Sequence, residues 1–279
     1  MSGTAGQAAH RPADVPDLLR AMLLSDPTRP RLTWYGPGDE RVELSAKVLD
    51  NWVAKTANLL VEEVDAGPGS RIGIDLPAHW RAAVWLLATW STGACVVLPD
   101  IREPEDPPPG DRTEGEDPTG LDAWVSDRPD SPAARSAAAD GALLLAVALP
   151  ALATSFGPGL PGGALDAAAE GRGRGDIFLP PVRAVPSDPA LVRPGRDTLT
   201  HADLMPAAAA AAGRMGLEPG ARVLTDAPAY HAVSGLLAAW WSGGSVVLHH
   251  DTFQLDADQR ARLIEAERVT ATFVRGQLL

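Results

Sequence analysis

Two arginines, Arg193 and Arg196, flank a Pro-Gly pair in the stretch DPALVRPGRDTLTHADL. A guanidinium group is always charged and presents several N–H donors, so two of them on one turn suit a weak contact with an anion. The same residues also fit a simpler interpretation, in which both arginines point into solvent from a tight turn. The sequence leaves both interpretations open.

A second group of residues opens the predicted helix AYHAVSGLLAAWWSG. It consists of Tyr230, His231, Ser234 and Gly235. The N-terminus of a helix favours an anionic group, because the aligned peptide dipoles leave partial positive charge there. These residues are therefore a candidate ligand pocket. In the alternative interpretation, Tyr230 and His231 are packing residues between two halves of the fold.

Other reaction chemistries find no support in the sequence. It contains no GxSxG motif for a hydrolase nucleophile, no HExxH motif and no Cys/His cluster with zinc spacing, so no metal site is predicted. The GRGRG run at 171–175 does not follow a predicted strand, as a dinucleotide-binding loop would. Cys95 is predicted to be a buried strand residue, and His249 and His250 are predicted to lie at the surface where a strand ends.

The composition is that of a globular protein. The chain has 279 residues, of which 45% are hydrophobic and 22% charged, enough for a substantial core. Its net charge of −12 argues against nucleic acid as a partner, because phosphate binding needs a basic face. No apolar run reaches the roughly 18 residues that span a bilayer, and no signal-peptide pattern opens the sequence. With one cysteine, these features predict a cytoplasmic protein.

Alternating strand and helix patterns predict an α/β fold with two similar packed lobes and mostly parallel strands. The predicted first lobe, residues 14–149, follows a flexible tail at 1–13 and contains an acidic, proline-rich loop at 101–119. A Gly/Pro-rich linker is predicted at 150–189. A second, incomplete lobe is predicted at 190–279.

An internal repeat supports the prediction of two lobes. A shift of 151 positions aligns GPGSRIGIDLPAHWRAAVWLLATWSTGACVV with EPGARVLTDAPAYHAVSGLLAAWWSGGSVVL without a gap, and 12 of the 30 positions from 68 to 97 are identical. The identical pairs include Arg71 with Arg222 and Trp90 with Trp241, which βαβ geometry does not require. In each lobe, the strand after the Pro-Gly turn should lie beside the apolar strand that follows the helix.

The order of these segments resembles the N-terminal portion of the adenylate-forming enzymes: acyl-CoA synthetases, luciferases and peptide-synthetase adenylation domains. It resembles most closely a group of short AMP-binding-like proteins. The stretch ERVELSAKVLDNWVAKTANLLVEEVDAGPGSRIGIDLP is similar to the opening of that family, and TLTHADL to the helix start after its phosphate loop. LTDAPAYHAVSGLLAAWWSGGSVVL and ERVTATFV are similar to later segments. The resemblance covers roughly residues 30–279 and implies a truncated relative, with Tyr230 and His231 where the family lines its acyl-substrate pocket.

The sequence departs from that family where ATP chemistry takes place. Full members carry a Ser/Thr/Gly-rich phosphate loop ending in Pro-Lys, whereas only LVRPGRD separates Ala190 from Thr198 here. Backbone N–H groups and small hydroxyls are what hold ATP phosphates. The adenine- and Mg²⁺-binding segment, the ribose-binding Asp and the catalytic lysine of the family have no counterpart, since Lys47 and Lys55 are the only lysines.

We therefore expect a non-catalytic protein, a pseudoenzyme with a binding or regulatory role toward an acyl-type small molecule or a partner protein, and with no cofactor. The alternative is a partial or split acyl-CoA synthetase-like ligase that forms AMP, uses ATP and Mg²⁺, and needs a second chain. A third interpretation is a chain that keeps only residual structure. A fold ending at residue 279 would expose an apolar C-terminal edge, so self-association or a protein partner is predicted near Phe273, Val274 and Leu278–Leu279.

Overall fold

The computed structural model describes residues 11–99, 120–151, 153–227, 229–274 and the backbone of 277–278. It is an α/β structure with two mostly parallel sheets, as the sequence predicts. The predicted acidic loop at 101–119 and most of the predicted tail lie outside the described residues. No helix within the described ranges is long and apolar enough to cross a membrane.

The strands in the described ranges are β1 Pro30–Tyr35, β2 Arg41–Ser45, β3 Arg71–Asp75, β4 Cys95–Val97, β5 Ala123–Ser126, β6 Leu143–Ala146, β7 Leu165–Asp166, β8 Pro189–Val192, β9 Leu199–Thr200, β10 Arg222–Thr225, β11 Ser245–His249, β12 Ala271–Val274 and β13 Gln277–Leu278. The α-helices there are α1 Val15–Ser25, α2 Ala46–Val64, α3 Trp80–Thr92, α4 Pro132–Ala139, α5 Ala167–Gly171, α6 His201–Arg214, α7 Ala238–Trp241 and α8 Ala257–Ala266. A π-helix, Val233–Leu237, runs directly into α7.

The two sheets share one pattern of strand order. One sheet has the order β7-β6-β5-β3-β4-β8-β9, and the other has β13-β12-β10-β11-β1-β2. In both, a parallel pair that follows a Pro-Gly turn lies at the centre, β3 with β4 and β10 with β11. The predicted neighbours within each repeat are therefore confirmed.

Each repeat contributes a β-hairpin to the sheet of the other repeat. The hairpin β1–β2 precedes α2 and β3 in sequence, yet β1 pairs with β11. The hairpin β8–β9 precedes α6 and β10, yet β8 pairs with β4. The sheets therefore cross the lobe boundaries predicted at 149 and 190, because strand pairing follows this exchange rather than the order of the chain.

The repeat is also shifted by one residue within its helix. The backbone N–H of Gly93 bonds to the carbonyl of Trp90, and that of Gly243 bonds to the carbonyl of Trp240. Trp90 Nε1 donates to a β8 carbonyl at 2.8 Å, and Trp240 Nε1 donates to a β1 carbonyl at 2.9 Å. Trp240, not the predicted Trp241, is thus the counterpart of Trp90. The gapless alignment is wrong beyond the helix start, since the second repeat has one residue fewer.

The core is centred on α3, which contacts strands of both sheets. All of its residues are buried, as expected of a helix that is apolar on every side and enclosed by other elements. The helix ends at Gly93, whose φ of 87° lies in the left-handed region that glycine adopts readily. Cys95, which follows in β4, is buried as predicted.

A buried carboxylate, that of Glu267, links the end of α8 to the sheet that contains β1, β2 and β10. It accepts hydrogen bonds from Tyr35 and Arg222, and from Arg41 at 3.0 and 3.1 Å. The Arg222 Nε also donates to the Glu267 carbonyl oxygen at 2.6 Å. Burial alone would raise the pKa of Glu267, but the hydrogen bonds from Tyr35, Arg222 and Arg41 outweigh it and lower that pKa.

His249 differs from its predicted surface position. It is 6% exposed and its Nδ1 accepts a hydrogen bond from the Asp251 backbone N–H at 3.1 Å. The reason is that its ring packs against those of Tyr35 and His250, with centroids 6.3 and 4.7 Å away. His250 is half-buried and stacks on His249.

Candidate functional site

The exchanged hairpins create two equivalent corners. At each corner, the end of the first hairpin strand, β1 or β8, contacts residues just before or at the start of the helical segment of the other repeat. At the first, the Trp34 corner (Trp34, Ala78 and His79), the Trp34 Nε1 donates to the Ala78 carbonyl at 3.1 Å. The rings of Trp34 and His79 meet edge to face with centroids 4.1 Å apart. Both side chains are 2% exposed, so this corner is closed by packing.

His79 at the Trp34 corner makes the stability of the protein depend on pH. Burial and then the nearby Arg81 charge lower the pKa of His79 from 6.5 to about 3. Between about pH 3 and 6.5, the unfolded chain therefore binds up to one more proton at His79 than the folded chain does. The folded state should lose up to about 1.4 kcal/mol per pH unit as the pH falls from 6.5 toward 3.

The variant His79→Asn tests this pH dependence. Asparagine cannot titrate here but keeps an acceptor for the Arg81 backbone N–H, which His79 Nδ1 now caps at 3.0 Å. Urea unfolding gives the free energy of unfolding at each pH. Between pH 6.5 and 4, its slope against pH should be smaller in the variant by the equivalent of about one proton. Equal slopes in the two proteins would show that His79 does not stay neutral in the folded state.

At the second corner, the Tyr230 corner (Arg193, Pro194, Tyr230 and His231), the predicted arginine and tyrosine meet. The Arg193 guanidinium lies over the Tyr230 ring, 5.8 Å from its centroid, and the Tyr230 hydroxyl donates to the Pro194 carbonyl at 3.4 Å. Burial lowers the pKa of Arg193, and its buried Nε has no hydrogen-bond partner. Both Tyr230 and His231 are half-buried, so this corner is more open than the Trp34 corner.

The loop between β8 and β9 is a tight turn. The Arg196 backbone N–H bonds to the Arg193 carbonyl at 3.1 Å, and Gly195 has a φ of 66°. Proline followed by a glycine with positive φ is the pattern of a type II turn. Arg196 projects from it into solvent, whereas Arg193 folds back onto Tyr230. The structure therefore separates the two predicted anion contacts.

The other two residues of the predicted pocket differ in role. Ser234 is half-buried, whereas Gly235 is buried within the π-helix, against β10. A Cβ at Gly235 would lie 2.6 Å from the Ala227 Cβ, so glycine is needed for close packing between helix and strand. Phe273 also reaches this region, with its ring centroid 6.2 Å from that of His231. No motif in the sequence places Phe273 beside the predicted pocket.

The predicted apolar C-terminal edge is not formed by Phe273 and Val274. Both are buried, at 6% and 3% exposure. Phe273 belongs to the hydrophobic core and packs against the His231 ring, and β12 lies between β10 and β13 in the sheet. The side chains of Leu278 and Leu279 lie outside the described residues.

A spacious cleft lies outside every site that the sequence predicts. It has a volume of about 890 Å³ and lies between α1, α6 and the segment 178–186. Its apolar lining includes Trp90, Phe178, Met205 and Trp241. Trp241 is half-exposed in this cleft. Because the second repeat has one residue fewer, Trp240 takes the buried position equivalent to that of Trp90, and Trp241 does not.

Charged residues of both signs line this α1–α6 cleft, and arginines outnumber aspartates. Arg11, Arg20 and Arg183 line it, and the Arg11 guanidinium lies 5.6 Å from the centroid of the Trp241 ring. Asp14 and Asp17 also line it, with Asp14 capping α1. Burial lowers the pKa of His201, which lies in the lining with its Nε2 3.1 Å from the Gly93 carbonyl oxygen, and this favours the neutral ring.

Comparison with known proteins defines the class of fold. No family model matches the chain. An acyl-CoA synthetase from Brucella canis superposes with a TM-score of 0.69 over 94% of this chain, at 17% sequence identity. The fold is therefore that of the acyl-CoA synthetases, as the resemblance to adenylate-forming enzymes implied, and the chain spans 47% of the length of that synthetase.

A relative at the level of sequence narrows this class. The "TIGR03089 family protein" of Mycobacterium tuberculosis (strain ATCC 25618 / H37Rv) is 35% identical over 261 residues, which cover 91% of this chain and 95% of the relative. The chain belongs to the TIGR03089 family.

Proposed function

We propose that this protein binds an acyl-type anion, an apolar chain with a carboxylate or similar head group, in the α1–α6 cleft. The observation that carries the proposal is the pairing of an apolar lining with three exposed arginines. A volume of about 890 Å³ is within the range of small-molecule sites, which are mainly apolar with a few polar groups. Three arginines against two aspartates leave an excess of positive charge along this cleft in a chain with a net charge of −12, which favours an anionic ligand.

We further propose that binding occurs without ATP-dependent activation of the ligand. The support is the turn from Arg193 to Arg196, which occupies the place of the phosphate loop in the resembling enzymes. Two central residues of a type II turn, one of them proline, cannot supply the nest of N–H groups that cradles phosphates. When charge develops in a transition state, the loss of a single preorganised hydrogen-bond donor to that charge lowers the rate by roughly 10²–10³.

Ligand binding is tested by filling the cleft. Ala209 lines it from α6, whereas its neighbour Ala210 is exposed on the same helix. We expect Ala209→Trp to weaken binding of octanoate at least tenfold, and Ala210→Trp to leave it unchanged. Isothermal titration calorimetry gives both affinities, and octylamine, of similar length but opposite charge, should bind more weakly than octanoate. Equal octanoate affinity in the two variants would place the ligand elsewhere.

A second measurement separates this proposal from the alternative of a partial or split ligase. Carboxylate-dependent exchange of pyrophosphate into ATP should stay at the level of a protein-free control for fatty, aromatic and amino acids. Exchange that disappears in His231→Ala would support the ligase and contradict a purely binding role. A purified second chain that restores exchange would lead to the same conclusion.

A further inference from the structure

Arg81 is a buried cation with no acidic partner in the described ranges. It is the second residue of α3 and is 8% exposed. Its Nε–H is fully buried and donates a hydrogen bond to no acceptor. The buried Trp80 Nε1, on the neighbouring residue, is also without an acceptor. Two adjacent donors are therefore left unsatisfied, which costs free energy unless an acceptor binds them.

Aromatic rings hold the Arg81 guanidinium but do not neutralise it. Its Cζ lies 4.4 Å from the centroid of the Trp80 ring and 5.6 Å from that of Trp52. Ring faces attract a cation, and more strongly when the pair is desolvated. They accept no strong hydrogen bonds from the N–H groups at the edge of the guanidinium plane. The edge is where a bound anion would lie.

A small cavity lies beside this cation. It has a volume of about 30 Å³, and its lining includes Trp52, Trp80 and Arg81 with apolar residues of α3 and α5. No carboxylate is among the described residues that line it. Lys55 lines it too, but the Lys55 Nζ is already paired with Asp176 at 2.8 Å. The charge left uncompensated at this cavity is therefore that of Arg81.

We propose that a small monovalent anion, such as chloride or formate, binds in this cavity against the Arg81 guanidinium. A buried charge is tolerated when it is paired and hydrogen-bonded, and an anion supplies both the charge and the acceptor. The volume suits an ion of that size and excludes the acyl-type ligand proposed for the α1–α6 cleft. This anion site is separate from that cleft and does not depend on its function.

The test compares chloride with gluconate at constant ionic strength. In the wild-type chain, chloride should raise the thermal unfolding temperature in a saturable way and change the tryptophan fluorescence, because Trp52 and Trp80 flank the site. Arg81→Met should weaken chloride binding at least tenfold. The control Arg262→Met removes an exposed arginine from α8 and should behave like the wild type. An equal chloride response in both variants would overturn the proposal.

Two further measurements keep the test decisive if Arg81→Met does not fold. Arg81→Lys keeps the charge but loses the planar donor group, and it should bind chloride more weakly than the wild type without losing binding. Crystals grown in bromide should show an anomalous peak within about 3.5 Å of the guanidinium. A site that holds only water under these conditions would contradict the proposed anion site.

Discussion

Replacing Glu267 with glutamine should lower the free energy of unfolding by about 3–5 kcal/mol, the usual cost of breaking a buried ion pair on one side. The carboxylate is 8% exposed and is shared by Tyr35, Arg41 and Arg222. A glutamine fits the same space but presents N–H donors to two guanidinium groups. Those cations would be left without their anion, and the attachment of α8 to the sheet would be lost.

Glu265→Gln is the matched control for this variant, because Glu265 is an exposed residue of the same helix. Its effect should stay within about 0.5 kcal/mol, as for most surface substitutions. Urea unfolding at pH 7 measures both. Because the folded-state pKa of Glu267 is lowered, its contribution to stability should also disappear as the pH falls below 4.5. Similar stability of the two variants would show that the network adds little to the fold.

Gly244→Ala should destabilise the protein by about 3 kcal/mol or more, because this glycine has no room for a side chain. A Cβ there would lie 2.0 Å from the Ala221 carbonyl oxygen and 2.9 Å from that of Ala239. Both are backbone atoms, so the start of β11 would have to move away from the start of β10 and from α7. The Gly244 carbonyl also accepts from the buried Arg31 at 3.1 Å, and this contact would move with the backbone.

Gly213→Ala is the opposite case within the same repeat. Gly213 lies in α6 with open space around its Cβ position. Alanine there should stabilise the protein by about 0.5–1 kcal/mol, because it favours helix and restricts the unfolded chain. Thermal or urea unfolding of the two variants gives the contrast. A neutral result at Gly244 would mean that β11 can shift away from β10 at little cost.

The strand and helix patterns of the sequence were sufficient to predict the fold class and most elements. The Pro-Gly turns, for example, precede β3 and β10, and each of these strands lies beside the apolar strand that follows its helix, as the repeat predicts. The exchange of hairpins could not be predicted, because periodicity identifies a strand without identifying its neighbour. The shifted repeat could have been found: with one residue removed, eight pairs from 86/236 to 98/248 are identical, including Trp90 with Trp240.

The candidate sites were predictable only in part. The contact of Arg193 with Tyr230 joins two segments that the sequence analysis had selected separately. The α1–α6 cleft was missed because its lining comes from distant segments, and no short motif marks such a surface. Arg81 was missed for a different reason. A single arginine in an apolar helix looks like a surface residue until its neighbours on α2 are known.

The hairpin exchange also determines when the protein can fold during its synthesis. Tyr35 pairs with His249, 214 positions later in the chain, so the hairpin β1–β2 has no parallel partner until synthesis has reached residue 249. At about 5–20 residues per second, that interval is roughly 10–40 s on the ribosome. Apolar residues of β1 such as Leu32 and Trp34 stay available for wrong contacts throughout it. A nascent chain that ends near residue 150 should therefore associate with chaperones instead of forming a protease-resistant lobe.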